Sequence, residues 1–109
     1  MIKGQYDQAI SDYNMTLEIN PKHAEAFISR GNAHGRNGQY DQAILDFNKA
    51  LEINPKFAEA YYNRGRAYYL KGQYDKSWDD FHRAEALGYK VPSEYLDDLR
   101  KTAKIQKTD

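Results

Sequence analysis

Gly38-Gln39-Tyr40-Asp41-Gln42-Ala43-Ile44 is the stretch on which the fold turns. The same seven residues stand at Gly4 through Ile10, and the first four return at Gly72-Gln73-Tyr74-Asp75. Both intervals are 34 residues. Aligned at that offset, residues 1–23 match residues 35–57 at 15 of 23 positions. The complete units, 24–57 and 58–91, match at 14 of 34. A fixed period of this length marks stacked supersecondary units, each burying its apolar face only against its neighbours.

Each unit reads as two helices. In the first, Phe27, Arg30, Gly31 and His34 recur at spacings of three and four, as do Tyr61, Arg64, Gly65 and Tyr68. That spacing is one face of a helix. The second follows the Gly38 or Gly72 turn and carries Tyr40, Ala43, Ile44, Phe47, Ala50 and Leu51 on one stripe. Glycine at the turn allows the left-handed conformation that ends the first helix. Pro21 and Pro55 follow Asn20 and Asn54, where one helix stops and the next opens with proline in its first turn. Gly31 and Gly65 each cost about 1 kcal/mol in mid-helix. Paid twice, that cost implies close approach of a neighbouring helix. Asp12, Asp46 and Asp80 recur at the same period as Arg30 and Arg64. Each arginine is expected to lay its stem across the seam between helices and pair with one or two of these aspartates.

These residues resemble the tetratricopeptide repeat (TPR) family over residues 1–91. The pattern is an aromatic at Phe27 or Tyr61, glycine at Gly31 or Gly65, and an aromatic at Tyr68. It continues with a small residue at Ala9, Ala43 or Ser77, an aromatic at Tyr13, Phe47 or Phe81, alanine at Ala50 or Ala84, and proline at Pro21 or Pro55. Arg30 and Arg64 stand where the family has leucine, and His34, Thr16 and Tyr89 also depart from it. The resemblance implies an all-α, right-handed superhelical solenoid of six helices in a single domain.

The two ends differ. Residues 1–23 form a half repeat with only the second helix, and 24–57 and 58–91 are full repeats. Residues 92–105 read as a capping helix and 106–109 as a tail. Pro92-Ser93-Glu94 opens the cap, with Val91, Tyr95, Leu96, Leu99 and Ala103 as its apolar stripe. Asp97, Asp98, Arg100, Lys101 and Lys104 give it the polar outer face that ends a repeat array. At the other end Ile10, Tyr13 and Leu17 lack a partner helix. Either the chain is a fragment or a short protein that tolerates this exposure, or the open end pairs or swaps helices with another copy.

Composition narrows the function. Sixteen basic and sixteen acidic residues cancel, which removes the electrostatic footprint of nucleic-acid binding. With no cysteine, thiolate metal sites, disulfides and cysteine nucleophiles are excluded. His23, His34 and His82 lack metal-pair spacing, and the carboxylates are dispersed. No catalytic residue, metal or cofactor is expected. No apolar run reaches spanning length and no signal peptide is evident, so the expectation is a cytoplasmic protein with no membrane partner.

Function is expected in protein or peptide binding. In the family the first helices line a concave groove, which here places Ile28, Asn32 and Gly35 on one line and Tyr62, Arg66 and Tyr69 on the next. Arg36 and Asn63 flank them. The best-known family subtype grips a C-terminal carboxylate with lysine, asparagine and arginine. Asn32 and Asn63 fall at its asparagines, whereas Ile28 replaces a lysine and a third full unit is absent. The groove therefore reads as suited to an apolar-plus-acidic segment. Asparagine can bond an extended backbone, tyrosine packs side chains at low entropic cost, and Arg66 suits a carboxylate. The alternative is a self-assembly module working through Ile10, Tyr13 and Leu17.

Overall fold

The computed structural model describes residues 3–102. Six helices follow one another: α1 (Lys3–Ile19), α2 (Ala24–Arg36), α3 (Tyr40–Ile53), α4 (Ala58–Leu70), α5 (Tyr74–Ala86) and α6 (Ser93–Lys101). There is no strand among the described residues. The hairpins α2/α3 and α4/α5 are the two complete units, and α1 packs on α2 as α3 packs on α4.

The glycine turns work as the repeat requires. Gly38 and Gly72 have φ of 79° and 81°. The next residues, Gln39 and Gln73, donate their N–H groups back to the carbonyls of His34 and Tyr68 at 2.8 and 2.9 Å, closing the helix end. The Asn-Pro turns differ from the sequence reading. Asn20 and Asn54 accept from the Lys22 and Lys56 N–H groups through their side chains. The next helices begin only at Ala24 and Ala58, so Pro21 and Pro55 lie in the turn and not in a first helical turn. The His23 ring nitrogen Nδ1 caps α2 by accepting from the Ala26 N–H at 3.2 Å.

Gly31 and Gly65 explain the hairpin spacing. A Cβ on Gly31 would lie 2.6 Å from the Phe47 ring, and one on Gly65 2.8 Å from the Phe81 ring. Each phenylalanine is thus seated directly on the backbone of the facing helix, and both are fully buried. Ala43, Ala50, Ala60 and Ala84 are buried around them. Ser77, replacing the alanine of the preceding unit, satisfies its hydroxyl by donating to the Gly65 carbonyl at 2.8 Å.

The arginines form the expected pairs. Arg30 donates to both Asp46 oxygens at 2.9 and 2.7 Å, and its third nitrogen donates to Asn14 on α1 at 2.8 Å. Arg64 repeats this on Asp80 and on Asn48 of α3, with all three contacts at 2.8 Å. One side chain therefore ties a first helix both to its own partner and to the preceding unit. The Asp46 and Asp80 bonds hold both guanidiniums more firmly protonated than usual, while burial raises the Asp80 carboxyl. Asp12 does not join the scheme: its side chain accepts from Gln8 at 3.3 Å.

At the ends, α6 covers Ser93–Lys101; Ala103, Lys104, Ile105 and the 106–109 tail fall outside the described residues. Val91, Leu96 and Leu99 are buried, and Tyr95 sets its ring edge-on to Tyr69 at 5.2 Å. Asp97, Asp98, Arg100 and Lys101 are exposed. On α1 the expectation of three open apolar residues needs correction. Leu17 is buried against the core, because α2 already covers that side, and Ile10 and Tyr13 are half-buried. The exposed apolar residues of α1 are Met15 and Ile19.

Candidate peptide-binding notch between the first helices

Small residues open a notch where α2, α3 and α4 meet. Gly31 and Gly35 of α2, Ala43 of α3 and Ala67 of α4 leave a depression of about 50 Å³ with Phe47 in its wall. That is room for a few waters or one small side chain. Asn32 and Arg36 enter from α2, Asn63 and Arg66 from α4. Helical spacing brings each pair to one side of its helix, since residues three and four apart are neighbours.

Asn63 is the telling residue. It is 7% exposed, and its Nδ2 finds no hydrogen-bond partner among the described residues. A buried donor left unpaired costs about 1–3 kcal/mol, so its position on the notch wall is an uncompensated expense within the chain itself. The two arginines bring positive charge to the rim, and no acidic residue shares the lining. The notch can therefore accept a carbonyl or carboxylate oxygen at Asn63, with further acidic groups at Arg36 and Arg66.

Of the seven residues predicted for the groove, the structure brings four together here: Asn32, Arg36, Asn63 and Arg66. Ile28 is elsewhere. It is 3% exposed and belongs to the core cluster, which corrects its expected place on an open surface. Tyr62 and Tyr69 form the seat of α6. Tyr62 stacks on Tyr89 at 4.8 Å and faces Tyr95 edge-on; burial, then Tyr95, pushes its hydroxyl up to about 12. Tyr69 donates a hydrogen bond to Asp98, which likewise raises it to about 12. Tyr40, Phe47 and Ala67 were missed as notch residues; the facing small residues Gly31, Ala43 and Ala67 were the available signal.

A larger hollow on the α3/α4/α5 side holds the Arg64–Asp80 pair. Its Arg64, Lys76 and Arg83 are balanced by Glu52, Asp79 and Asp80, so it selects no ligand charge. Among the described residues no group of three or more histidines and carboxylates is placed to hold a metal ion. Among the described residues no helix is long and apolar enough to cross a membrane.

The TPR repeat family profile matches residues 1–38 and again 36–72. The chain belongs to the tetratricopeptide repeat family. Comparison with curated proteins gives no significant match. Among solved structures, it is similar to the first TPR of Spaghetti (RPAP3) bound to the HSP90 peptide SRMEEVD, with 26% identity and a TM-score of 0.82 over 96% of this chain and 82% of that one. The Arabidopsis OM64 TPR domain is 27% identical with a TM-score of 0.84, over 90% of this chain and 83% of that one. YrrB, a TPR protein with an unusual peptide-binding site, is 25% identical with a TM-score of 0.79, over 87% of this chain and half of that one. The all-α repeat fold and a role in protein–protein interaction follow from these likenesses.

Proposed function

We propose that the chain is a non-catalytic cytoplasmic adaptor that holds an extended, acidic-plus-apolar peptide segment across α2 and α4. The observation that carries this is the buried, unpartnered Asn63 Nδ2 on the wall of the notch. A peptide carbonyl or terminal carboxylate satisfies it, one small side chain fills the notch, and acidic side chains meet Arg36 and Arg66. Asn32 supplies a second amide for the extended backbone. Ile28, Tyr62 and Tyr69 act behind this surface, as core and as support for α6.

Titration calorimetry with a panel of acidic heptapeptides, SRMEEVD first among them, tests the reading. Arg66→Ala is expected to weaken the best binder by about tenfold, the effect of one charge-assisted contact, and Asn63→Ala by a similar factor. Failure of every acidic peptide to bind, or affinity indifferent to both substitutions, would refute it. The rival reading, self-assembly through the half repeat, draws support from Ile19, which is 85% exposed on α1. A molar mass that rises with concentration in light scattering favours that rival.

A further inference from the structure

The glycines of the two complete units are there for different reasons. Gly31 and Gly65 are held by packing, since a Cβ on either would run into a phenylalanine ring at 2.6 or 2.8 Å. Gly38, Gly72 and Gly88 are held by backbone geometry, each with a positive φ. Gly35 answers to neither. It lies in the last turn of α2 without a positive φ, and a Cβ built on it meets, within 4 Å, only the Ala43 Cβ at an ordinary 3.8 Å. Alanine would also hold the helix better, because glycine gives up more backbone freedom on folding. Nothing among the described residues asks for glycine at this position.

The space that a side chain at Gly35 would take belongs to the notch, which Gly35 lines together with Gly31, Ala43 and Ala67. One period later the residue is Tyr69, whose ring lies against Tyr74 at 5.8 Å and Tyr95 at 5.2 Å. The second unit thus fills with its own side chain a place that the first unit leaves open beside Tyr40, the counterpart of Tyr74. An independent observation marks that place for a ligand. Asn63 borders it at 7% exposure, and its Nδ2 has no partner among the described residues. Arg36 and Arg66 stand at the rim, with no acidic residue in the lining.

We propose that Gly35 determines the specificity of the notch. It admits from the bound segment one aliphatic side chain of alanine-to-valine size, on a residue flanked by acidic ones, and turns away leucine and aromatic rings. The inference rests on the peptide-binding reading above and adds which residue of the peptide the notch selects. An apolar cavity of about 150 Å³ takes a benzene ring, whereas the notch offers about 50 Å³. That is room for a methyl or an isopropyl group. Ala43, Phe47 and Ala67 present carbon to it, so the group it favours is hydrocarbon. The backbone carbonyl of the same residue meets the Asn63 amide, and the neighbouring carboxylates reach Arg36 and Arg66.

The probes are heptapeptides Ser-Glu-Glu-Xaa-Glu-Glu-Ser, with glycine, alanine, valine, leucine or phenylalanine at Xaa, titrated into the full chain by calorimetry. Alanine and valine are expected to bind best, with leucine and phenylalanine at least about tenfold weaker than valine, the scale on which a pocket rejects surplus methylenes. Gly35→Ala puts a methyl group into the notch without strain. It should weaken the valine peptide about tenfold and erase its advantage over glycine; thermal unfolding verifies that the variant keeps its fold. Arg66→Ala, by contrast, should weaken all the peptides by one common factor. If none of them binds, the peptide-binding reading falls and this inference with it. If they bind with affinities indifferent to Xaa, or if Gly35→Ala weakens the glycine and valine peptides equally, the selection by Gly35 is overturned while the peptide-binding reading stands.

Discussion

The helices α1 and α3 are near copies in sequence and unlike in circumstance. The stretches that hold them share Gln-Tyr-Asp-Gln-Ala-Ile near the start and Leu-Glu-Ile followed by an Asn-Pro-Lys turn. Yet Asp46 is buried and doubly bonded to Arg30, while Asp12 is exposed; Phe47 is 2% exposed, while Tyr13 is only half-buried. Nothing within either helix accounts for the contrast. It comes from α2, which covers α3 with its glycine and arginine face and turns a different side toward α1. The repeat therefore encodes a surface, and a neighbour converts that surface into core.

Truncating the ring at the same repeat position in the two helices, Phe47 in α3 and Tyr13 in α1, should separate them most. Phe47→Ala removes a side chain packed on the Gly31 backbone and is expected to cost about 3–5 kcal/mol. Tyr13→Ala should cost under about 1 kcal/mol, nearer a surface change. Urea unfolding of both variants measures the gap, and comparable losses would mean that α1 is as well covered as α3. The aspartates should differ next. Asp46→Ala strands the Arg30 guanidinium, and since Arg30 is itself 24% exposed the loss is about 2 kcal/mol, below that of a fully buried pair. Asp12→Ala is expected within about 0.5 kcal/mol of the wild type.

The smallest effect concerns the other end, where α6 packs against α4 and α5. Tyr69 donates to Asp98 and its folded-state value is raised to about 12. A raised value means the contribution is fully present below the ordinary tyrosine range near 10 and is lost as pH climbs toward 12, because the unfolded chain gives up its proton first. Unfolding followed between about pH 9 and 12 should show a decline in stability that is shallower in Tyr69→Phe. Identical slopes would remove this bond from the seat of α6.

Part of the candidate site was readable in advance. Asn32 and Arg66 follow from placing the first helices on the family's concave groove, and both line the notch. Ile28 came from the same resemblance and is buried, while its repeat counterpart Tyr62 lies under Tyr89 and Tyr95. Periodicity fixes which side of a helix a residue occupies; what covers that side depends on the next element, and α6 follows a linker unlike the Asn-Pro turns. The arginine–aspartate seams were legible because both charges recur on one period. The missing cation at Asp12 was not, since it depends on which helix packs where.

The 34-residue period, the positions of the glycine turns and the alternation of paired helices are written in the sequence, because each unit repeats the same local requirements of helix face, turn and close approach. Only the tertiary structure decided which copies of those residues are buried. It left the Asn63 Nδ2 unpartnered among the described residues, beside two arginines, drew Tyr62 and Tyr69 beneath α6, and kept Asp12 in the open. The reason is physical: burial and pairing belong to contacts between helices, and identical stripes meet different neighbours along the array.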